Sequence, residues 1–386
     1  MLPCAGLARG PSHNWFPSSG LFYWYDAPMF PAVANYRLGP FLLASEVPLP
    51  ELEPLAAGAS ADAAGADNIS IRLGEVPEHI ANVVANESRW WASRQEYLLR
   101  VPQVANFLVR NGREVLVQPA PGALPADIRA YLLSPIFSTL CHQAGMYSLH
   151  ASAVRVGEGV VALLGNSGAG KSTLAAGLAQ RGYDLVCDDI CLLDPRPNAA
   201  ACAPSIPRPL QDGWESTSQS SPQIANTSAN SGPVPVIPVA PALKLWRSTL
   251  DHLGAGHEDL RRVFSRNDKY RVPVPQPSEP VQRLPLREVL FLEWAEVDEA
   301  TDGSSDNPAT QPTFTQVESV QAVTRLMEFT HYDYLMKPTG RQTGNFLLCG
   351  QILAHARAFT LRRPLSFAHL DRTLDALEAH LAAIKE

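Results

Sequence analysis

The sequence predicts an α/β protein in which a larger domain, built on a parallel sheet and a phosphate-binding loop, follows a smaller N-terminal α+β domain. Three observations carry that prediction. Val160-Val161-Ala162-Leu163-Leu164 is an uninterrupted apolar run, as a strand buried on both faces requires. It leads directly into Gly165-Asn166-Ser167-Gly168-Ala169-Gly170-Lys171-Ser172, which satisfies G-x-x-x-x-G-K-[ST], and then into Thr173 and the helix-forming stretch Leu174 to Gln180. Upstream, Asn111-Gly112 sits between two strand-like runs, the strongest short-range hairpin signal.

The elements follow in order. Residues 1–20 are rich in Pro, Gly and Ser and are expected to be poorly ordered. The N-terminal domain is expected over 21–145. Within it Ile69 to Leu73 and Glu96 to Val101 read as strands, Ala57 to Asp67 as an Ala/Gly-rich loop, and Phe107 to Arg110 with Glu114 to Val117 as the hairpin arms. A helix is expected from Pro125 to Ala144, begun by Pro125 and kinked or divided by Pro135. The larger domain, 146–386, opens with a strand from Ser148 to Val156, which carries His150, and turns at Gly157-Glu158-Gly159 into the strand before the loop. Tyr183 to Cys187 is the next strand and ends at Asp188-Asp189. Strand, loop, helix, strand is a βαβ unit, which implies a parallel sheet.

Residues 195–241 hold ten prolines and a Ser/Asn/Gln-rich stretch from Ser216 to Ser231, so an extended insertion is expected there. Ordered sequence is expected to resume at Pro241-Ala242-Leu243-Lys244-Leu245-Trp246, strands return near Leu286 to Trp294, and Thr301 to Pro312 reads as a polar loop. The tail from Val317 reads as helical, with Val320, Val323, Leu326 and Met327 on one face and Leu370, Leu374, Leu377 and Leu381 on another.

Composition bounds the partners. A net charge of −7 over 386 residues argues against a nucleic-acid ligand, which needs a dense basic face. Short basic groups such as Arg261-Arg262, and Lys269 with Arg271, are read as surface charge, with an anion clamp as their functional alternative. No apolar run approaches the ~20 residues of a membrane span. The first residues lack a basic start followed by an apolar core, so no secretory leader is expected. The six cysteines show neither C-x-x-C nor zinc spacing, and reduced thiols in a cytoplasm fit them; Cys187 and Cys191 are read as buried strand residues.

Chemistry enters with the loop. Its backbone N–H groups and the helix N-terminus hold anionic phosphates, Lys171 reaches the outer ones, and the Ser172 hydroxyl ligates Mg²⁺. Gly165 through Thr173 are therefore the nucleotide-binding candidates. Asp188 and Asp189 follow a strand that ends on the same edge of the sheet, beside the phosphates. Strand alternation turns them in different directions, so that one can serve the metal and the other accept a proton. The pair by itself equally allows both to serve the metal. His150 on its own reads as structural.

The segment from Leu149 to Leu193 resembles the kinase domain of the HPr kinase/phosphorylase family. That family shows a histidine, the phosphate loop, and then Arg-Gly-(aromatic or His)-x-Leu-Val-x-Asp-Asp. The matching residues are His150, Gly165 to Ser172, and Arg181-Gly182-Tyr183-Asp184-Leu185-Val186-Cys187-Asp188-Asp189. Looser similarity, over Tyr36 to Ala153 and Leu243 to Trp246, points to HPr-kinase-related proteins of high-GC bacteria, lasso-peptide kinases among them. The resemblance implies a P-loop kinase domain of the HPr kinase/phosphoenolpyruvate carboxykinase type, with ATP and Mg²⁺ as cofactors. It makes Asp189 the general base, with Lys171 on the phosphates and His150 near the base, and leaves Asp188 with Ser172 for the metal. The implied substrate is a Ser/Thr hydroxyl on a protein or peptide, and hexamers in the family make a homo-oligomer an expectation. Thr173 stands where bifunctional members carry Glu, and their glycine-rich signature after the aspartates is missing. Kinase activity without phosphorylase activity is the expectation. A small-molecule kinase or a non-catalytic nucleotide-binding regulator would use the same loop. Transporter ATPases and GTPases are disfavoured, because Leu-Ser-Gly-Gly-Gln and Asn-Lys-x-Asp do not occur.

Overall fold

The computed structural model describes residues 33–52, 54–55, 67–196, 232–239, 242–274, 283–295 and 310–384. The expected N-terminal disorder, the heart of the proline-rich insertion, most of the Ala57 to Asp67 loop and most of Thr301 to Pro312 lie outside these residues. The protein is mixed α/β, with several sheets and few helices. Among the described residues no helix is long and apolar enough to cross a membrane.

An eight-stranded sheet draws only on residues 34–119. Its order is Ala34–Leu38, Phe41–Ser45, Asp67–Leu73, Glu114–Pro119, Ala105–Arg110, Glu96–Val101, Trp90–Ala92 and Ala85–Glu87. The hairpin forms where Asn111-Gly112 predicts it. Both residues take positive φ (52° and 66°), and the Arg113 amide donates to the Arg110 carbonyl at 3.0 Å, the twist that suits two antiparallel strands. Helix Pro125–Tyr131 then begins at its proline, as expected. Pro135 divides the helix, as expected, without ending it. The helix widens into a π-turn over Leu132–Ile136, where the Phe137 amide reaches back five residues to the Leu132 carbonyl, and continues as Phe137–Gln143. A proline removes one i→i−4 bond, and the wider turn absorbs its ring.

The second sheet corrects several expectations. The strand expected from Ser148 to Val156 is two strands, Tyr147–Leu149 and Ala151–Val156, which pair with different neighbours. His150 occupies the break, with its amide donating to the Phe329 carbonyl at 2.8 Å. The sheet is mixed rather than parallel. Gly159–Leu164 and Leu185–Cys187 are not neighbours, because Ala151–Val156 lies between them and runs antiparallel to both. The two-residue turn Gly157-Glu158 explains this, since a hairpin that short can only return the chain antiparallel. The crossover through helix Lys171–Gln180 still makes the two outer strands parallel. Leu284–Trp294 is the hub. It lies parallel to Gly159–Leu164 on one side and to Arg357–Arg363 on the other, and its first residues pair with Pro235–Ile237.

That last strand falls inside the expected insertion, and Val234, Val236 and Ile237 are buried. Proline suits it because it ends early and pairs over only two positions on each side. The C-terminal tail alternates helix and strand: Thr313–Gln316 and Arg357–Arg363 flank helices Ser319–Glu328 and Gln342–His355. Val320 is 81% exposed, because at about 100° per residue it stands roughly 160° around the helix from Ala322, which with Leu326 forms the buried face. Leu370, Leu374, Leu377 and Leu381 share the buried face of Leu370–Ala382 as expected.

The strand before the loop is covered on both faces, which is why its five residues are all apolar. Val160, Ala162 and Leu164 pack beneath Ser319–Glu328 and Gln342–His355, while Val161 and Leu163 pack beneath Lys171–Gln180 and Leu370–Ala382. The core of the eight-stranded sheet also takes in Ile190, Leu192, Ile237, Val239 and Leu335 from later in the chain. Cys187 and Cys191 are buried, free thiols.

Candidate phosphate-loop site

In the second sheet Gly159–Leu164, Leu185–Cys187, Leu284–Trp294 and Arg357–Arg363 run in one direction, so their C-terminal ends share an edge, the usual ligand side of such sheets. Gly165 follows one, Asp188 another, and Arg363 closes a third. The loop's shape depends on its glycines. A Cβ on Gly165 would stand 2.9 Å from the Ala169 Cβ, and Gly170 holds φ 82° with the Arg363 guanidinium pressed against it. No side chain caps helix Lys171–Gln180. Its first N–H groups, which a helix cannot satisfy internally, therefore remain for an anion. Asn166, Ser167 and Gly168 form the exposed crown of the loop.

Lys171 is buried and curls onto its own loop, with Nζ donating to the Gly165 carbonyl at 2.6 Å and to the Asn166 carbonyl at 3.2 Å. Burial pulls its ammonium down to about 8, against the opposing pull of Asp189 and Asp188. Arg363 donates to the Ala169 and Pro364 carbonyls, and its buried Nε has no partner among the described residues. Burial lowers this guanidinium to about 10. Two desolvated cations beside uncapped amides fit a polyphosphate, and the Ser172 hydroxyl with the Asp188 carboxylate is the oxygen donor set that suits Mg²⁺. Thr173 differs from the rest of the predicted loop set, because its hydroxyl turns away to Thr249 at 3.2 Å.

The two aspartates separate, but not by strand alternation. The strand stops at Cys187, and Asp189 adopts φ 74°, a left-handed conformation that costs a non-glycine residue roughly 1–3 kcal/mol. Asp188 faces the loop. Its Oδ1 accepts from Ser172 at 2.8 Å and from Ser152 at 2.5 Å, and its Oδ2 from the Lys244 amide at 2.7 Å. Asp189 faces the other way. Its Oδ2 pairs with Lys244 Nζ at 2.5 Å and accepts from Ser134 at 3.4 Å, while Oδ1 lies 3.4 Å from His150 Nδ1. Burial would raise the Asp189 carboxyl, but the Lys244 ammonium and the His150 hydrogen bond hold it well below the usual carboxylate range. His150 thus does contact Asp189, and it stacks on His331 with ring centroids 5.2 Å apart.

Several neighbours escaped the sequence reading. Lys244 had a legible signal, a lone cation between Leu243 and Leu245 on a strand, whose alternation buries the leucines and turns the lysine to the opposite face. Ser134 enters through the π-turn, and Arg363 and His331 arrive from distant sequence, with no local pattern to mark them. His150, Asp189 and His331 offer three ligand atoms within 4.8 Å of one another, but the Lys244 ammonium already neutralises that carboxylate.

Buried histidines beside the site make stability pH-dependent. Desolvation lowers His142 to about 4 and His331 to about 3. An unfolded histidine titrates near ~6.5, so below that pH the unfolded chain binds protons that the folded chain refuses. Stability is then complete above pH ~6.5 and lost progressively toward about pH 4, the folded value of His142. Thermal melting is expected to shift down steadily over that interval, with a shallower slope for His142→Gln. A flat profile would contradict the burial of these rings.

No protein-family model matches the chain, and no protein of curated function matches it significantly.

Proposed function

We propose that the protein is an ATP-dependent kinase of the HPr kinase type, with a P-loop kinase domain, acting on a serine or threonine hydroxyl of a protein or peptide. The observation that carries this reading is the division of labour between adjacent aspartates. Asp188 is bonded to Ser172 of the loop, whereas Asp189 is turned to Lys244, His150 and Ser134. A phosphate loop with a metal-side carboxylate alone suits nucleotide hydrolysis. A second carboxylate, 18% exposed and held apart from the first, suits deprotonation of an incoming hydroxyl.

In this reading Ser172 and Asp188 would hold Mg²⁺, which would supply positive charge for the phosphate oxygens. The acceptor oxygen attacks the γ-phosphorus in line, the bond from that phosphorus to the bridging oxygen of ADP breaks, and the hydroxyl proton passes to Asp189. Lys171 and the loop amides meet the charge on the transferred group. Lys244 lowers the basicity of Asp189 in the resting site, and an arriving γ-phosphate competes for its ammonium, which restores that basicity when it is needed. His150 fixes the orientation of the carboxylate. Without the glycine-rich signature, the reaction runs in the kinase direction alone.

The test uses ATP labelled in its γ-phosphate, incubated with the protein and with serine-bearing peptides encoded beside its gene. Label on a peptide serine is the expected result. Label released only as inorganic phosphate would overturn the kinase assignment in favour of hydrolysis.

A further inference from the structure

A basic pocket adjoins Asp189 without belonging to the phosphate loop. It is lined by Arg129, Lys244, Arg261, Arg262 and Arg271, with Glu51 as its acidic member. Its floor is a three-stranded sheet of Ala242–Trp246, Lys269–Pro273 and Arg261–Arg262, in which Lys244 is directly opposite Arg271, and Arg271 directly opposite Arg261. Directly opposed residues of antiparallel strands project to the same face. Three cations therefore stand in a row across three strands, while Leu243, Leu245, Tyr270 and Val272 bury the other face. Helix Pro125–Tyr131 forms the opposite wall, tied to this sheet where Ser265 donates twice to Asp127, at 2.7 and 2.8 Å.

Like charges directly opposite one another disfavour strand pairing unless something neutralises them. Most of the pocket's cations have that partner: Arg129 pairs with Glu51 at 2.7 Å, Lys244 with Asp189 at 2.5 Å, and Arg262 with Asp268 at 3.1 Å. The side chains of Arg271 and Arg261 make no hydrogen bond or ion pair among the described residues. Arg271 is partly buried, and burial pulls its guanidinium down despite the nearby charge of Glu51. A shielded guanidinium beside a second, exposed one presents paired N–H donors to a planar or tetrahedral anion. The row begins at Lys244, whose ammonium also touches the carboxylate proposed as the base.

We infer that this pocket is a subsite for an anionic group of the acceptor, a carboxylate or a phosphate, which Arg271 and Arg261 hold while the neighbouring hydroxyl is presented to Asp189. This rests on the reading of the chain as a peptide kinase. The subsite accounts for two arginines whose side chains have no bonded partner among the described residues, and places substrate selection on the three-stranded sheet, outside the phosphate loop.

Binding tests it without requiring transfer. Serine peptides made in matched sets, identical except for glutamate, phosphoserine or glutamine at varied spacing from the acceptor serine, are titrated into the full chain. The protein is held with a non-hydrolysable ATP analogue, and binding is followed by fluorescence anisotropy. At the fitting spacing an anionic peptide is expected to bind about ten-fold or more tightly than its glutamine twin, the worth of one or two charge-assisted hydrogen bonds, with the preference shrinking as salt rises. The better of glutamate and phosphoserine identifies the anion. Arg261→Gln, at an exposed position, should weaken the preference, and Arg261→Gln with Arg271→Gln should abolish it, with analogue binding and melting temperature unchanged. Equal binding of all three peptides, or a preference that survives in the double variant, would overturn the subsite. A preference that vanishes in the double variant, combined with no transfer to any serine, would instead overturn the kinase reading and leave the subsite standing.

Discussion

Asp189→Asn is expected to lower phosphoryl transfer by about 10²- to 10⁴-fold, the usual contribution of a general base, while nucleotide affinity stays close to that of the parent protein. The two readouts diverge because the aspartates have different partners. Asp188, not Asp189, is bonded to the loop serine, so the loop keeps its shape when Asp189 loses its charge. Asparagine is nearly isosteric and can still accept from Lys244 and Ser134, but it takes up no proton from an attacking hydroxyl. Loss of the pairing leaves the Lys244 ammonium, 11% exposed, without its carboxylate, so a lower melting temperature should accompany the kinetic defect. Single-turnover rates, measured together with nucleotide titration and thermal melting, separate these effects. A variant that folds, binds ATP and transfers at the parental rate would remove Asp189 from the chemistry.

Lys171→Ala is expected to weaken Mg·ATP binding by about ten- to a hundred-fold, since hydrogen bonds to charged groups contribute roughly 1.5–3 kcal/mol. In the resting loop the lysine donates to the Gly165 and Asn166 carbonyls, and those contacts must be exchanged for phosphate oxygens. Its ammonium titrates at about 8 because it is buried. Only the protonated form attracts phosphate, so affinity is expected to fall as the pH rises through 8 and to lose that dependence in Lys171→Met. Calorimetric titration at pH 7 and at pH 9 measures both effects. Unchanged affinity in Lys171→Ala would separate the motif from nucleotide binding altogether.

Much of the local structure is legible in the sequence. The apolar run Val160 to Leu164, the Asn111-Gly112 turn and the leucine stripe from Leu370 to Leu381 each carry their own period or turn chemistry, and each forms as read. Failures cluster where a decision belongs to contacts between distant segments. The break at His150 depends on which neighbours the two half-strands find, and a run of alternating residues does not encode that. Pro235–Ile237 looked like part of an insertion because proline and polar residues dominate its surroundings, yet three buried apolar residues suffice once the hub strand and Cys191–Leu193 flank it. Val320 shows the same limit in a helix, since apolar spacing marks a broad stripe but not which side of it, here the side of Ala322 and Leu326, the tertiary contacts bury.

The site divides in the same way. Sequence by itself determined the phosphate loop and the neighbouring aspartate pair, because backbone geometry within a few residues produces both: glycines where a Cβ would collide, a helix N-terminus, and a short strand ending at the same edge. Only the tertiary structure decided which partners each aspartate has. The left-handed turn at Asp189, Lys244 from the three-stranded sheet, Ser134 from a π-turn and His331 from beyond residue 300 reach the carboxylates across long sequence separations. Charge interactions in a partly buried site depend on distance in space, to which separation along the chain is no guide. For the same reason the row Lys244, Arg271, Arg261 reads as scattered surface charge in sequence and becomes a single anion-seeking face when three strands are set side by side.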